Sequence, residues 1–317
     1  MHNIKKTAIK VVTYLIYTLT LNPSVDYVVR VQDFKEGHLN RTGDTSFYAG
    51  GKGINVSRVL QRLTVENTAL GFLGGFTGDF IKNTLTKEGI NSDFIAIEDN
   101  TRINVKLKSA FETEINGEGP QITSEHKASL LKQIDALQQG DILVLSGSIP
   151  SSLGTEFYME AAKHCQDHGV DYVLDSSGQS FMKALQYEPF LVKPNHHELG
   201  ELFSAKVDTV EQAVHYGKKL LLMGPQHVIV SMGGKGAVLV AKDIALFAEA
   251  PKGVLKNSVG AGDSVVAGFI AGFKQTNDIK EAFVSGVAAG SATAFSDDLC
   301  SKQQVEELKS QIQIHTI

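Results

Sequence analysis

Asp141-Ile142-Leu143-Val144-Leu145-Ser146 sets four apolar residues side by side, without the polar alternation of a strand that keeps one face in water. It reads as a strand covered on both sides. Downstream, residues 155–168 carry a helical pattern, and Asp171-Tyr172-Val173-Leu174-Asp175 repeats the apolar run. A helical piece near 179–185 leads to Phe190-Leu191-Val192-Lys193. Helical patterns near 197–203 and 210–223 lead to His227-Val228-Ile229-Val230-Ser231. Buried strands alternating with helices predict an α/β fold with a parallel sheet covered on both faces. In such sheets ligands lie beyond the carboxyl ends of the strands. Those ends carry 146–148, Asp175, 193–195 and 231–236, where polar and glycine residues recur.

Upstream the pattern changes. Residues 24–31 and 41–48 alternate between turn signals, and 104–115 repeats the style. They predict a small antiparallel sheet, a flap able to cover a small substrate and exclude water. No linker, repeat or low-complexity tract divides the chain. Residues 15–317 are therefore expected to form one domain, with lid segments near 24–48 and 101–115. Residues 15–21 read as a β-branched, aromatic-rich core strand. Before them, Lys5 and Lys6 precede an apolar stretch broken by Lys10. It lacks a small-residue cleavage site and is too short to span a membrane. Residues 1–14 are expected to be an upstream extension, with Leu15 as a start residue read from an alternative codon.

The formal net charge is −5, so there is no basic excess to attract nucleic acid. Cys165 and Cys300 stand in neither a CxxC nor a zinc spacing. Two isolated thiols fit a reducing cytoplasm.

Asn257-Ser258-Val259-Gly260-Ala261-Gly262-Asp263-Ser264 precedes a run of small apolar residues. Its glycines let the chain turn sharply and leave several N–H groups pointing one way. At a helix start those groups and the helix dipole form an anion site. A carboxylate beside an anion site opposes simple binding. It makes sense if Asp263 takes a proton from a hydroxyl that attacks a phosphoryl group. The same residues also fit a helix with Asp as its N-terminal cap.

Gly50-Gly51-Lys52-Gly53-Ile54-Asn55-Val56 opens a second helical pattern, without the spacing of a Walker A loop. Its glycines permit close backbone approach, and Asn55 can both donate to and accept from sugar hydroxyls. A glycine hairpin with a solvated lysine is the alternative. In Thr101-Arg102-Ile103-Asn104-Val105-Lys106, alternate positions put Arg102, Asn104 and Lys106 on one strand face. They suit a phosphate already on the substrate, or the charged protection of an edge strand. Lys193-Pro194-Asn195-His196-His197-Glu198 puts Asn195 and Glu198 on one helix face, within reach of one magnesium–phosphate cluster directly or through water. Lys193 would meet a nucleotide phosphate. Adjacent helical histidines do not converge on one ion, so His196 and His197 are expected to be ordinary helix residues. Ser231-Met232-Gly233-Gly234-Lys235-Gly236 would bring backbone close to a nucleotide, and reads equally as a strand-to-strand hairpin.

In this order the pieces resemble the ribokinase-like carbohydrate kinases of the phosphofructokinase B type, over nearly all of residues 15–310. Residues 50–53 match the family's N-terminal signature, and 259–262 with Asp263 its C-terminal one. Leu21-Asn22-Pro23-Ser24-Val25-Asp26 looks like the start of phosphosugar kinases. Residues 101–106 with Thr113-Glu114-Ile115-Asn116-Gly117-Glu118-Gly119-Pro120 look most like the 1-phosphofructokinase branch. Tagatose-6-phosphate kinases share the start and the Thr-Glu-Ile segment but typically differ after the arginine matching Arg102.

The resemblance implies an αβα sandwich with a mostly parallel central sheet and a small β-lid that pairs with a second subunit's lid. It implies ATP and Mg2+, and a phosphosugar substrate. Asp263 would be the base, and Gly260, Ala261 and Gly262 the anion hole. Asp26, Gly50, Gly51, Lys52 and Asn55 would face the sugar. Arg102, Asn104, Lys106, Arg41 and Ser148 would hold its phosphate. Lys193, Asn195, Ser231, Gly233, Gly236 and Asn257 would line the nucleotide side, with Glu198 and Asn195 toward the magnesium. Some relatives bind a monovalent cation such as K+ near the anion hole, where Gly290-Ser291-Ala292-Thr293 lies. The acceptor implied is the C6 hydroxyl of fructose 1-phosphate. Tagatose 6-phosphate is the first rival, and a sugar-phosphate sensor without catalysis the second.

Overall fold

The computed structural model describes residues 14–317. The expected upstream extension, Tyr14 apart, lies outside the described residues. β1 (Ile16–Thr20) leads to a hairpin of β2 (Ser24–Arg30) and β3 (Asp44–Gly50). Then come α1 (Lys52–Arg62), β4 (Thr68–Gly74), α2 (Gly75–Lys87) and β5 (Asn91–Ile97). A second hairpin, β6 (Arg102–Lys108) and β7 (Glu112–Asn116), precedes α3 (Ser124–Asp135). Strands and helices then alternate through β8 (Ile142–Ser146), α4 (Phe157–His168), β9 (Asp171–Asp175), α5 (Gly178–Ala184) and β10 (Leu191–Val192). Next are α6 (His196–Leu202), α7 (Val210–Leu221), β11 (His227–Ser231), β12 (Ala237–Ala241) and β13 (Ile244–Ala248). Helices α8 (Ala261–Thr276), α9 (Ile279–Ala294) and α10 (Lys302–Lys309) and the short β14 (Ile314–Thr316) complete the described elements.

The central sheet has ten strands in the order β14-β13-β12-β11-β10-β9-β8-β1-β4-β5. It is parallel from β11 to β5 and antiparallel from β11 to β14. Strand alternation sorts its side chains into two layers. Leu143, Leu145, Tyr172, Leu174, Val228 and Val230 pack with Phe157 and Leu220 on one face. Ile142, Val144, Val173 and Ile229 pack with Val56, Phe269 and Val287 on the other. That is why the strand sequences show no polar positions: both faces are covered. The small-residue run after Asp263 has an equally direct cause. A Cβ on Gly268 would stand 2.5 Å from the Ser285 carbonyl oxygen, and one on Gly272 2.9 Å from Ala282 Cα. Only glycine lets α8 and α9 approach so closely.

Beside the carboxyl edge lies the lid, ordered β3-β2-β6-β7. Its outer pairs are antiparallel, but β2 and β6 run parallel, where the alternation alone predicted an antiparallel sheet. The cause is topological. β2 follows β1 and β6 follows β5, two parallel strands of the main sheet, so both set out in the same direction.

Candidate active site

Two helix N-termini converge at the carboxyl edge of the sheet. α1 starts from Gly51 with φ at 119°, a conformation that side-chain-bearing residues avoid. A Cβ there would also meet Thr20 Cγ2 at 2.6 Å. α8 starts from Gly260 with φ at 77°, where a Cβ would strike Leu299 Cδ2 at 2.6 Å. Asp263 sits in the first turn of α8 and is 5% exposed. Its Oδ2 accepts a hydrogen bond from Asn55 Nδ2 of α1 at 2.8 Å. Burial first, and the Asp175 charge second, push its carboxyl up to about 6, against the pull of Lys52, Asn55 and Lys193. A buried carboxylate near that value, at a helix N-terminus, suits proton transfer from an alcohol.

Asp175, at the end of β9, is fully enclosed. Its Oδ1 meets Lys193 Nζ at 3.4 Å and Lys52 Nζ at 3.5 Å. Its Oδ2 has no partner. Burial raises its carboxyl, but the two ammonium groups outweigh burial and hold it below the usual range. Asp175 in turn raises Lys52. Lys193 is buried beside α8, its Nζ 3.1 Å from where a Cβ of Gly262 would stand. Two cations are thus pinned by one anion next to the glycine turn, where a phosphoryl group's charge would be met.

The lid roofs the same cleft, whose volume is about 540 Å³. Asp26 Oδ1 accepts from Ser24 Oγ at 2.8 Å and Asn104 Nδ2 at 3.1 Å. Gly50 makes room for it, since a Cβ there would stand 2.6 Å from the carboxylate. Arg102 donates through Nη1 to the Gly117 carbonyl at 3.2 Å and through Nη2 to that of Asn22 at 3.1 Å. Its Nε is buried without a partner. Lys106, expected to hold a phosphate, faces two carboxylates across the lid. Its Nζ lies 3.7 Å from both Asp26 and Glu114, which draw on its charge.

On the opposite side Asn195 caps α6, its Oδ1 accepting from the N–H groups of His197 and Glu198, both at 2.9 Å. Glu198 Oε2 reaches back to the Asn195 N–H at 2.8 Å. This capping box engages one oxygen of each side chain. The rings of His196 and His197 lie tilted against each other at 37°, centroids 3.9 Å apart. Among the described residues no three His, Cys, Asp or Glu groups converge as a metal cage. A hard divalent cation bound with a nucleotide still fits. It needs one or two protein carboxylates and takes its other oxygens from phosphates and water. Glu198 and Asp175 border one cleft.

The profile of the pfkB family carbohydrate kinases matches residues 19–304. The chain belongs to this family. A 1-phosphofructokinase of Bacillus subtilis is 53% identical over 300 residues, 95% of this chain and 99% of the relative. A D-tagatose-1-phosphate kinase of Bacillus licheniformis is 38% identical over 301 residues, with the same coverage. The structure of Escherichia coli phosphofructokinase-2 in complex with fructose-6-phosphate is similar at a TM-score of 0.88 and 28% identity, over 94% of this chain and 99% of that one. This pfkB kinase is thus an ATP- and divalent-metal-dependent phosphotransferase acting on a sugar. No helix among its described residues is long and apolar enough to cross a membrane.

The pfkB kinase cleft brings together most of the residues singled out in the sequence. Asp26, Gly51, Lys52, Asn55, Arg102, Asn104, Lys106 and Ser148 line it on the lid and α1 side. Lys193, Asn195, Glu198, Ser231, Gly260, Gly262 and Asp263 line it on the other. Gly50 and Ala261 act from behind, making room for Asp26 and opening α8. Arg41 does not reach the cleft; it is exposed on the connection between β2 and β3. Nor does Asn257, whose Oδ1 accepts from the Val259 N–H at 3.1 Å and which borders a smaller cavity beside Asp297 and Asp298. Gly233 and Gly236 shape the β11–β12 turn, with φ at 58° and 108°, rather than lining the cleft. Cleft residues given no site role from the sequence include Asp175, Glu114 and Asn116. The signal for Asp175 is its place at the end of a buried strand. For the other two it is the alternation of β7.

Proposed function

We propose that this pfkB kinase is a 1-phosphofructokinase. It transfers the γ-phosphate of ATP to the C6 hydroxyl of fructose 1-phosphate, giving fructose 1,6-bisphosphate and ADP. One observation carries this reading: Asp263 at the α8 N-terminus shares a cleft with Arg102, whose buried Nε has no partner among the described residues. A substrate that already bears a phosphate supplies an anion for that guanidinium; an unphosphorylated sugar does not. The 53% identity to a 1-phosphofructokinase supports the same substrate.

In this reading Asp263 takes the C6 hydroxyl proton as the oxygen attacks the γ-phosphorus. The bond to the β–γ bridging oxygen breaks and ADP leaves. The N–H groups of Gly260, Ala261 and Gly262 meet the charge on the transferring group, with Lys193 and Lys52 behind them. Glu198, Asn195 and Asp175 would hold Mg2+, which neutralises nucleotide phosphate charge when bound. Ser231 lines the nucleotide side. A structure of E. coli phosphofructokinase-2 in complex with potassium supports a K+ near residues 290–293. The lid keeps water from competing as acceptor. Its exposed Phe47, Ile103 and Ile115 support a homodimer through the lid. The buried free thiols of Cys165 and Cys300 fit the cytoplasm, and residues 15–317 one kinase domain.

Tagatose phosphates are the second reading. The 38% relative acts, by its name, on D-tagatose 1-phosphate rather than the 6-phosphate weighed from sequence. An ADP-coupled assay over fructose 1-phosphate, fructose 6-phosphate, both tagatose phosphates and fructose separates them. The highest kcat/KM is expected for fructose 1-phosphate. A preference for a tagatose phosphate would keep the chemistry and change the substrate. ATP binding without ADP release on any sugar would favour a sensor.

A further inference from the structure

β7 is an edge strand with every residue exposed, yet its register carries it into the cleft. Asn116 pairs opposite Asn104, Glu114 opposite Lys106, and Glu112 opposite Lys108. Alternation puts 112, 114 and 116 on the lid's inner face. Glu114 and Asn116 line the cleft, whereas Glu112 lies beyond it and pairs with Lys108 at 3.6 Å. Lys108–Glu112 and Arg30–Asp44 are ordinary edge pairs, with both partners in solvent. The Lys106–Glu114 pair differs, because the Lys106 side chain is only 11% exposed.

Lys106 Nζ stands 3.7 Å from Asp26 Oδ2 and 3.7 Å from Glu114 Oε1, too far to donate a hydrogen bond to either. Asp26 is held in place through Oδ1 by Ser24 and Asn104. Carboxylate, ammonium and carboxylate therefore span the roof from β2 to β7, and the ammonium makes no direct hydrogen bond among the described residues. A hydroxyl set between them can accept from the ammonium and donate to a carboxylate.

We propose that Glu114 is a specificity-determining residue, accepting a hydrogen bond from a hydroxyl of the bound ketose phosphate and thereby distinguishing C4 epimers. The assignment rests on the phosphoketose kinase reading above. A site built to bond a hydroxyl discriminates strongly against a substrate that presents it wrongly, since its polar groups are left unpaired. Fructose 1-phosphate and tagatose 1-phosphate differ at C4 alone.

The test is the ratio of kcat/KM for these two sugars, measured on the full chain for wild type, Glu114→Gln and Glu114→Ala. The ratio does not depend on the fraction of protein folded. In Glu114→Ala the fructose-to-tagatose ratio is expected to fall at least about tenfold, the scale of one hydrogen bond to a charged group, with KM for ATP unchanged. Equal losses on both sugars, or none, overturn the assignment and leave Glu114 as a counter-charge for Lys106. Wild-type protein that turns over neither sugar overturns the substrate reading, and this assignment with it.

Discussion

As the proposed base, Asp263 has to meet two demands that oppose each other. A base must be ionised, yet burial and the nearby Asp175 disfavour its charge and raise its carboxyl from 3.8 to about 6. Between those values the folded chain keeps a proton that the unfolded chain has released. Stability contributed by this group is therefore greatest at low pH and is lost as pH climbs through about 6. Asp263→Asn keeps the shape and removes the charge. It is expected to raise Tm by about 2 °C or more at pH 8, the shift from ~1 kcal/mol in a large domain, and by nothing at pH 4. The same change is expected to lower kcat by about two orders of magnitude with little effect on KM, the usual scale for a general base. Calorimetry at the two pH values and steady-state kinetics check both halves. An equal Tm shift at both pH values would mean that ionisation of Asp263 is not what costs stability, and near-normal turnover would remove it as the base.

Helix α1 does more than present Asn55 to that carboxylate. Arg58 and Arg62 follow at helical spacing on the same face. Arg58 is 5% exposed and meets both Glu88 oxygens through Nε at 3.0 Å, and Asp298 Oδ2 through Nη2 at 3.1 Å. Arg62 meets Asp298 at 2.6 Å and the Leu299 carbonyl oxygen. Leu299 packs behind Gly260, so one helix ties Asp263, the glycine turn and the loop backing it. Losing one partner of a buried ion pair costs roughly 3–5 kcal/mol, less where the remaining charges regain water. Glu88 and Asp298 are partly exposed, so Arg58→Met is expected to cost about 2 kcal/mol, read as a lower denaturant midpoint at unchanged slope. A loss under about 0.5 kcal/mol, the range of an ordinary surface substitution, would mean the cluster is merely solvated charge. None of this network was legible in the sequence, because topology alone joins residues 58, 88 and 298. The strands β8, β9 and β11 were legible, since a doubly covered strand must be apolar throughout. So were the glycine turns, which only close approach and positive φ explain. The parallel pairing of β2 with β6 was not: alternation tells which face a residue takes and says nothing about its neighbour's direction. Asp175 shows the same limit, since the sequence marks its strand end but not the two lysines that meet there.

At the scale of the whole molecule, the lid has one face toward the cleft and an outer face that α2 covers only in part, over Val25 and Ala49. Pairing puts Phe47, Tyr27, Val105 and Ile115 in one row across all four strands of the outer face. Tyr27 and Phe47 stack with centroids 4.5 Å apart, and Phe47 and Ile115 remain 55% and 61% exposed. A contiguous apolar row on the surface marks an interaction site rather than ordinary scatter. A second lid is the simplest cover, because a two-fold axis matches a patch to itself. Phe47→Asp with Ile115→Asp places like charges on both partners, so repulsion adds to the lost apolar contact. Sedimentation equilibrium is expected to give twice the chain mass for wild type and the single chain mass for the variant. The lid also roofs the cleft where the sugar phosphate is proposed to bind, so the monomer is expected to show a raised KM for the sugar phosphate and an unchanged KM for ATP. A wild type that sediments as a monomer would rule out the lid pairing. A variant that stays dimeric would put the interface on another face. A monomeric variant with unchanged sugar KM would separate assembly from lid closure.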